Sequence, residues 1–110
     1  MPPDDVLTAL TREAERLVRR LGGATTAWYA ARPDRRTSRA EMLRRLVADL
    51  AALGVRAGTG QPADAAPRVL GNHALGDQIT LLTREIVTAP AGPTVAAAAT
   101  AAIRAVRDRL

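Results

Sequence analysis

Apolar side chains recur at alternating steps of three and four in four separate stretches, and this spacing constrains the fold more than any other feature of the chain. Such steps keep side chains on one face of an α-helix. In the first stretch, Leu7, Leu10, Ala14, Leu17 and Leu21 follow the pattern, Pro2 and Pro3 precede it, Asp4 or Asp5 is placed to cap it, and Gly22 and Gly23 stop it. In the second, Leu43, Leu46, Leu50 and Leu53 follow it, Ser38 and Glu41 make a capping box, and Gly54 is expected to end the helix. The third carries Leu75, Ile79, Leu82 and Ile86, with Asn72 as cap and Pro90 beyond its end. The fourth carries Val95, Ala99, Ala102 or Ile103, Val106 and Leu110, and opens at Gly92-Pro93, where a proline's missing donor costs nothing. The spacing predicts long helices over about 4–21, 38–53, 72–88 and 93–109.

Between the first two, ATTAWYAARP reads as a short helix or turn ended by Pro33. Residues 54–71, rich in glycine and proline, are too long for a tight turn and read as a mobile loop. No run alternates with the two-residue period of a strand. The expected fold class is therefore all-α, one domain over 1–110: a four-helix bundle with room for a short extra helix, a helical array of other connectivity being the alternative.

Composition bears on how such a bundle packs. The chain has no Phe, one Trp and one Tyr, so its core must be Leu and Val packed around Ala, with close helix approach in place of bulk. A net charge of +5 points toward anionic partners. All 16 basic residues are arginine, however, as codon bias in a GC-rich genome would produce. The absence of cysteine removes disulfides, thiolate metal sites and thiol nucleophiles together. MPPDDV lacks the basic start and apolar run of a secretion signal, and the run over 86–103 is cut by Pro90 and Pro93, so a cytoplasmic protein without a membrane partner is expected.

The candidate sites begin at WYAARPDRRTSRAEMLRR, where six arginines face two carboxylates. Arg32, Arg35, Arg36 and Arg39 are placed to contact phosphate or another anion, and Trp28 or Tyr29 could stack on a base. The competing reading has Trp28 closing the end of the core and the arginines solvating a turn. TSRAEMLRRLVADL resembles the second helix of ribbon-helix-helix repressors, a family that reads DNA through a paired strand before its first helix. MPPDD cannot form that strand, so only the capping box carries over. His73 and Asp77, four apart, are half of an acid-base pair, but neither a nucleophile nor further metal ligands stand near them in sequence. GVRAGTG lacks the Lys-Ser/Thr and the preceding strand of a phosphate loop. Glu13 and Glu15 read as helix-face partners of Arg12, Arg16 and Arg19.

HALGDQITLLTREI resembles a segment of small uncharacterised all-helical proteins of high-GC actinobacteria, which implies a bundle and no particular activity. The expected function is a non-enzymatic protein-protein interaction or regulatory module, with no catalytic residues, metal or cofactor. The alternative is an accessory nucleic-acid binder using the arginines of 32–45. The expected partner is another protein or a second copy of the chain, a dimer through the polar-free start of the fourth helix at Val95, Ala98, Ala99 and Ala102.

Overall fold

The computed structural model describes residues 2–60 and 70–110. Within them lie five α-helices and no strand: α1 (Pro3–Leu21), α2 (Thr26–Ala30), α3 (Arg39–Ala57), α4 (Leu75–Thr88), entered through one 3₁₀ turn (Asn72–Ala74), and α5 (Gly92–Arg109). The four long helices form the expected all-α bundle, and α2 is the short helix between the first two.

Local chemistry accounts for most of the boundaries. Pro3 opens α1 and Asp4 and Asp5 fall inside its first turn, where they favour the helix dipole instead of capping it by a side-chain bond. The Trp28 amide donates to Thr25 Oγ1 at 3.1 Å to start α2, and the Glu41 amide donates to Ser38 Oγ at 3.1 Å to start α3. Asn72 does not cap α4: it sits inside the 3₁₀ turn, and its Oδ1 accepts from Arg44 Nη2 at 2.6 Å.

The expected end of α3 at Gly54 is corrected. The helix runs on to Ala57 and closes at Gly58, whose left-handed φ of 90° lets its amide reach the carbonyls of Gly54 and Val55. Gly54 is instead a buried close-approach position: a Cβ there would come within 3.3 Å of Thr59 and 4.0 Å of Ile86. Residues 54–57, assigned to a mobile loop by the sequence, are therefore helical, while 61–69 of that segment lie outside the described residues.

Each of α1 and α3 packs against both α4 and α5. Contacts fix the directions. Arg39 at the start of α3 reaches Leu110 at the end of α5, and Ala91 before α5 donates to the carbonyl of Ala57 at the end of α3 at 2.9 Å. Arg44 meets Asn72, Gly58 lies by Pro90, and Val18 lies by Gly76. Hence α1 and α5 run one way and α3 and α4 the other. The core is Leu10, Leu17, Leu43, Leu46, Leu50, Leu75, Ile79, Ile86 and Ile103, all fully buried, with Ala96 and Ala99 of α5 buried among them.

The turn between α4 and α5 depends on Gly92, since a Cβ there would collide with the carbonyl oxygen of Ile86. Gly92→Ala should therefore lower stability by about 1–3 kcal/mol, as expected for a forced shift in a tight backbone contact. Urea unfolding followed by circular dichroism measures it, and unchanged stability would contradict the contact.

Candidate functional site

The arginine-rich turn is an ordered structure built on Asp34. Its Oδ1 accepts from the amides of Arg36 at 2.9 Å and Thr37 at 2.8 Å, and Oδ2 accepts from Arg109 Nη2 of α5 at 3.0 Å. These bonds, the two amides foremost, hold the Asp34 carboxyl down at about 2. Between Asp34 and Arg36, Arg35 takes a left-handed φ of 63°. Arg32, Arg35 and Arg36 are exposed on this turn.

Arg39, the fourth candidate for anion contact, is turned inward. Its Nε and Nη2 donate to the Leu110 carbonyl oxygen at 3.1 and 2.9 Å, Nη1 donates to the Trp28 carbonyl at 3.3 Å, and the guanidinium lies 4.7 Å over the Trp28 ring. Trp28 meets Tyr29 edge to face with ring centroids 5.1 Å apart, and Tyr29 is buried in the core, which pushes its hydroxyl above its ordinary pKa. The aromatic pair thus closes one end of the bundle, with Arg39 as its cover.

A charge cluster that the sequence did not single out joins α1 to α5. Glu13, its side chain 2 % exposed, accepts at Oε1 from Arg16 Nη1 and Arg104 Nε, both at 3.0 Å, and Arg107 Nη1 lies 2.8 Å from Oε2 as an ion pair. Burial pushes this carboxyl up, but the Arg104 hydrogen bond and the charges of Arg107, Arg104 and Arg16 outweigh it and hold the pKa below its usual value. The signal in the sequence was a carboxylate three residues after Leu10 and four before Leu17, at the margin of the apolar stripe, together with arginines three apart on another helix.

On α5, Val95 and Ala99 belong to the chain's own core, Ala102 is half-buried and Ala98 is exposed. The proposed self-association set is therefore split between inside and outside, because Val95 and Ala99 are already covered by the other helices. His73 and Asp77 are both exposed at the entry to α4, and no bond joins them among the described residues. No group of three or more His, Cys, Asp or Glu among those residues could hold a metal ion, and no described helix is long and apolar enough to cross a membrane.

A groove of about 610 Å³ lies between α1 and α4. Its walls are Thr11, Ala14 and Val18 of α1 and Thr80, Thr83 and Val87 of α4, with Glu15, Arg19 and Arg84 on the rims. Small side chains face each other across it. Thr11 and Thr80 donate to the carbonyls of Leu7 and Gly76 in their own helices. Thr83, 4 % exposed, has no hydrogen-bond partner for its hydroxyl. Compared with known protein families, curated proteins and solved structures, the chain matches none.

Two outcomes follow from these placements. Ala99→Arg should unfold the domain while Ala98→Arg leaves the melting temperature within about 1–2 °C of the parent, as usual for a surface change. Glu13→Gln should cost about 2 kcal/mol at pH 7, less than a fully buried pair because Arg16 and Arg104 are half exposed. Since the folded pKa of Glu13 is lowered, its contribution is present above the ordinary carboxylate pKa of about 4.3 and is lost as pH falls through the folded value. Urea titrations between pH 7 and 3 should show a smaller acid-side loss in the variant, the remainder including Asp34. An undiminished loss would remove Glu13 from this account.

Proposed function

We propose that the protein is a non-enzymatic interaction module whose α1/α4 groove takes the apolar face of an amphipathic helix from a partner protein. The observation that carries this reading is the Thr83 hydroxyl, buried in the groove wall without a partner. An unsatisfied buried hydroxyl costs about 1–3 kcal/mol, and because it is closed to solvent in the free protein, a change of the threonine's rotamer on binding would turn it to a partner's polar side chain and offset that cost. The small walls of Ala14, Val18 and Val87 admit the close approach of a third helix.

Charge and shape specify the partner further. Glu15 and Arg19 on the α1 rim and Arg84 on the α4 rim form no ion pair among the described residues. A complementary helix carries a carboxylate opposite Arg19 and Arg84, a cation opposite Glu15, and Ser, Thr, Asn or Gln within its apolar stripe to meet Thr83. Leu81, 56 % exposed, lies seven residues before Thr88 and thus on the same side of α4, beside the groove and outside its lining. The two carboxylates held low, Glu13 and Asp34, serve ion pairs that tie the fold together, which favours an interaction role over acid-base chemistry.

A synthetic helical peptide of this description tests the reading by chemical-shift mapping on the full chain. Shifts should centre on Val18, Thr83 and Val87, and Val18→Arg should abolish them. Thr83→Val should raise the stability of the free protein by about 1 kcal/mol while weakening the peptide severalfold. Shifts confined to the outer face of α5 around Ala98, or a Thr83→Val variant that binds as well as the parent, would overturn it.

A further inference from the structure

Codon bias sets how many arginines a chain has, but not where the fold puts them. The last half of α1, the segment carrying α2 and the Asp34 turn, the first halves of α3 and α4 and the last half of α5 all gather at one end of the bundle. Of the fifteen arginines in the described residues, twelve lie at that end against six carboxylates. The opposite end has three, Arg12, Arg56 and Arg84, against Asp4, Asp5, Asp49 and Glu85. Among the described residues, the positive excess therefore resides at one pole.

Much of that pole is already committed within the fold: Glu13 engages Arg16, Arg104 and Arg107, Asp34 engages Arg109, Asn72 engages Arg44, and Arg39 is bonded to Leu110 and Trp28. Apart from Arg19, which stands on the rim of the α1/α4 groove, what is left is Arg20, Arg32, Arg35, Arg36 and Arg45, all exposed and with guanidinium groups that make no ion pair or hydrogen bond among the described residues. Three of the five stand on the Asp34 turn, whose amide bonds order the backbone in advance of any ligand.

We propose that this pole docks on the phosphodiester backbone of duplex nucleic acid and makes no base contacts. Guanidinium groups suit phosphate oxygens because their forked donors bind in pairs. The molecule is 29 × 22 Å across its two shorter dimensions, and a duplex segment of that length carries on the order of a dozen phosphate charges, enough for all five arginines. Base stacking has no free platform, since Arg39 covers Trp28 and Tyr29 is buried. An anionic membrane is disfavoured because the one large apolar side chain exposed at this pole among the described residues is Leu70, and lasting attachment to lipid needs more buried apolar area beside the charges. This surface is separate from the α1/α4 groove and does not rest on the reading given to it.

Fluorescence anisotropy with two unrelated 20-base-pair duplexes, over a series of salt concentrations, tests the proposal on the full chain. Both duplexes should bind with equal, micromolar affinity at low salt, and log affinity should fall against log salt with a slope of about −4 to −5, near −0.9 for each phosphate met. Arg32→Gln with Arg36→Gln should flatten that slope by about 2, whereas Arg12→Gln with Arg56→Gln, the same loss of charge at the other pole, should leave it unchanged. Equal weakening by the two double variants would show attraction by net charge alone and overturn the docking surface. So would preference for one duplex sequence, or binding to phosphatidylserine vesicles in the absence of duplex binding.

Discussion

Close approach of α5 is the constraint on which the rest of the structure depends. Its inward face is Val95, Ala96, Ala99, Thr100 and Ile103, so a backbone almost without bulk lies against both α1 and α3. Alanine has little area to bury and contributes little transfer free energy by itself. Its value here is that it lets the large side chains of the other helices, Leu10, Leu17, Leu43, Leu46 and Leu50, enclose the core without phenylalanine. The same proximity brings Arg104 and Arg107 within reach of Glu13, and a carboxylate that would be expensive to bury alone becomes the electrostatic tie between α1 and α5. It also carries Arg109 to Asp34, which ties the end of the same helix to a turn already ordered by its own amide bonds.

The helices were legible because their evidence is local. Step spacing, Ser38 before α3 and Pro93 in the first turn of α5 act within a few residues of where they stand. Gly54 was misread as a stop because a glycine in sequence looks the same whether it supplies a left-handed turn or room for a neighbour. Thr59 and Ile86 distinguish the two, and neither contact is visible in a linear pattern. Glu13 was legible only in part, for a similar reason. Its own helix offers Arg16, but its strongest partners lie more than ninety residues away on α5, a pairing that only the packing of the bundle creates.

The candidate sites divide along the same line. Arg32, Arg35 and Arg36 were identifiable by type and clustering, and the turn keeps them on the surface. Arg39 belongs to the same cluster in sequence but sits at the first position of α3, where the helix aims it back over Trp28 toward the end of α5. The α1/α4 groove had no signature at all, because it arises from an absence of bulk on two helices some seventy residues apart. Thr83 in particular occupies a position of the apolar stripe, four after Ile79 and three before Ile86, and reads as an ordinary helical threonine until its surroundings are known.

The directions of the helices bear on how the chain comes together in time. Because α3 and α4 run parallel, and because α1 and α3 each pack on α4 and α5, the two long helices made first share little surface with one another. A ribosome extending this chain thus releases two amphipathic helices whose apolar faces have no mutual solution, and burial must wait until α4 and α5 emerge. Until then Leu10, Leu17, Leu43 and Leu50 remain wet. The hairpin of α4 and α5 acts as the keystone of assembly, and a chain interrupted before Leu75 would be left with most of its leucines uncovered.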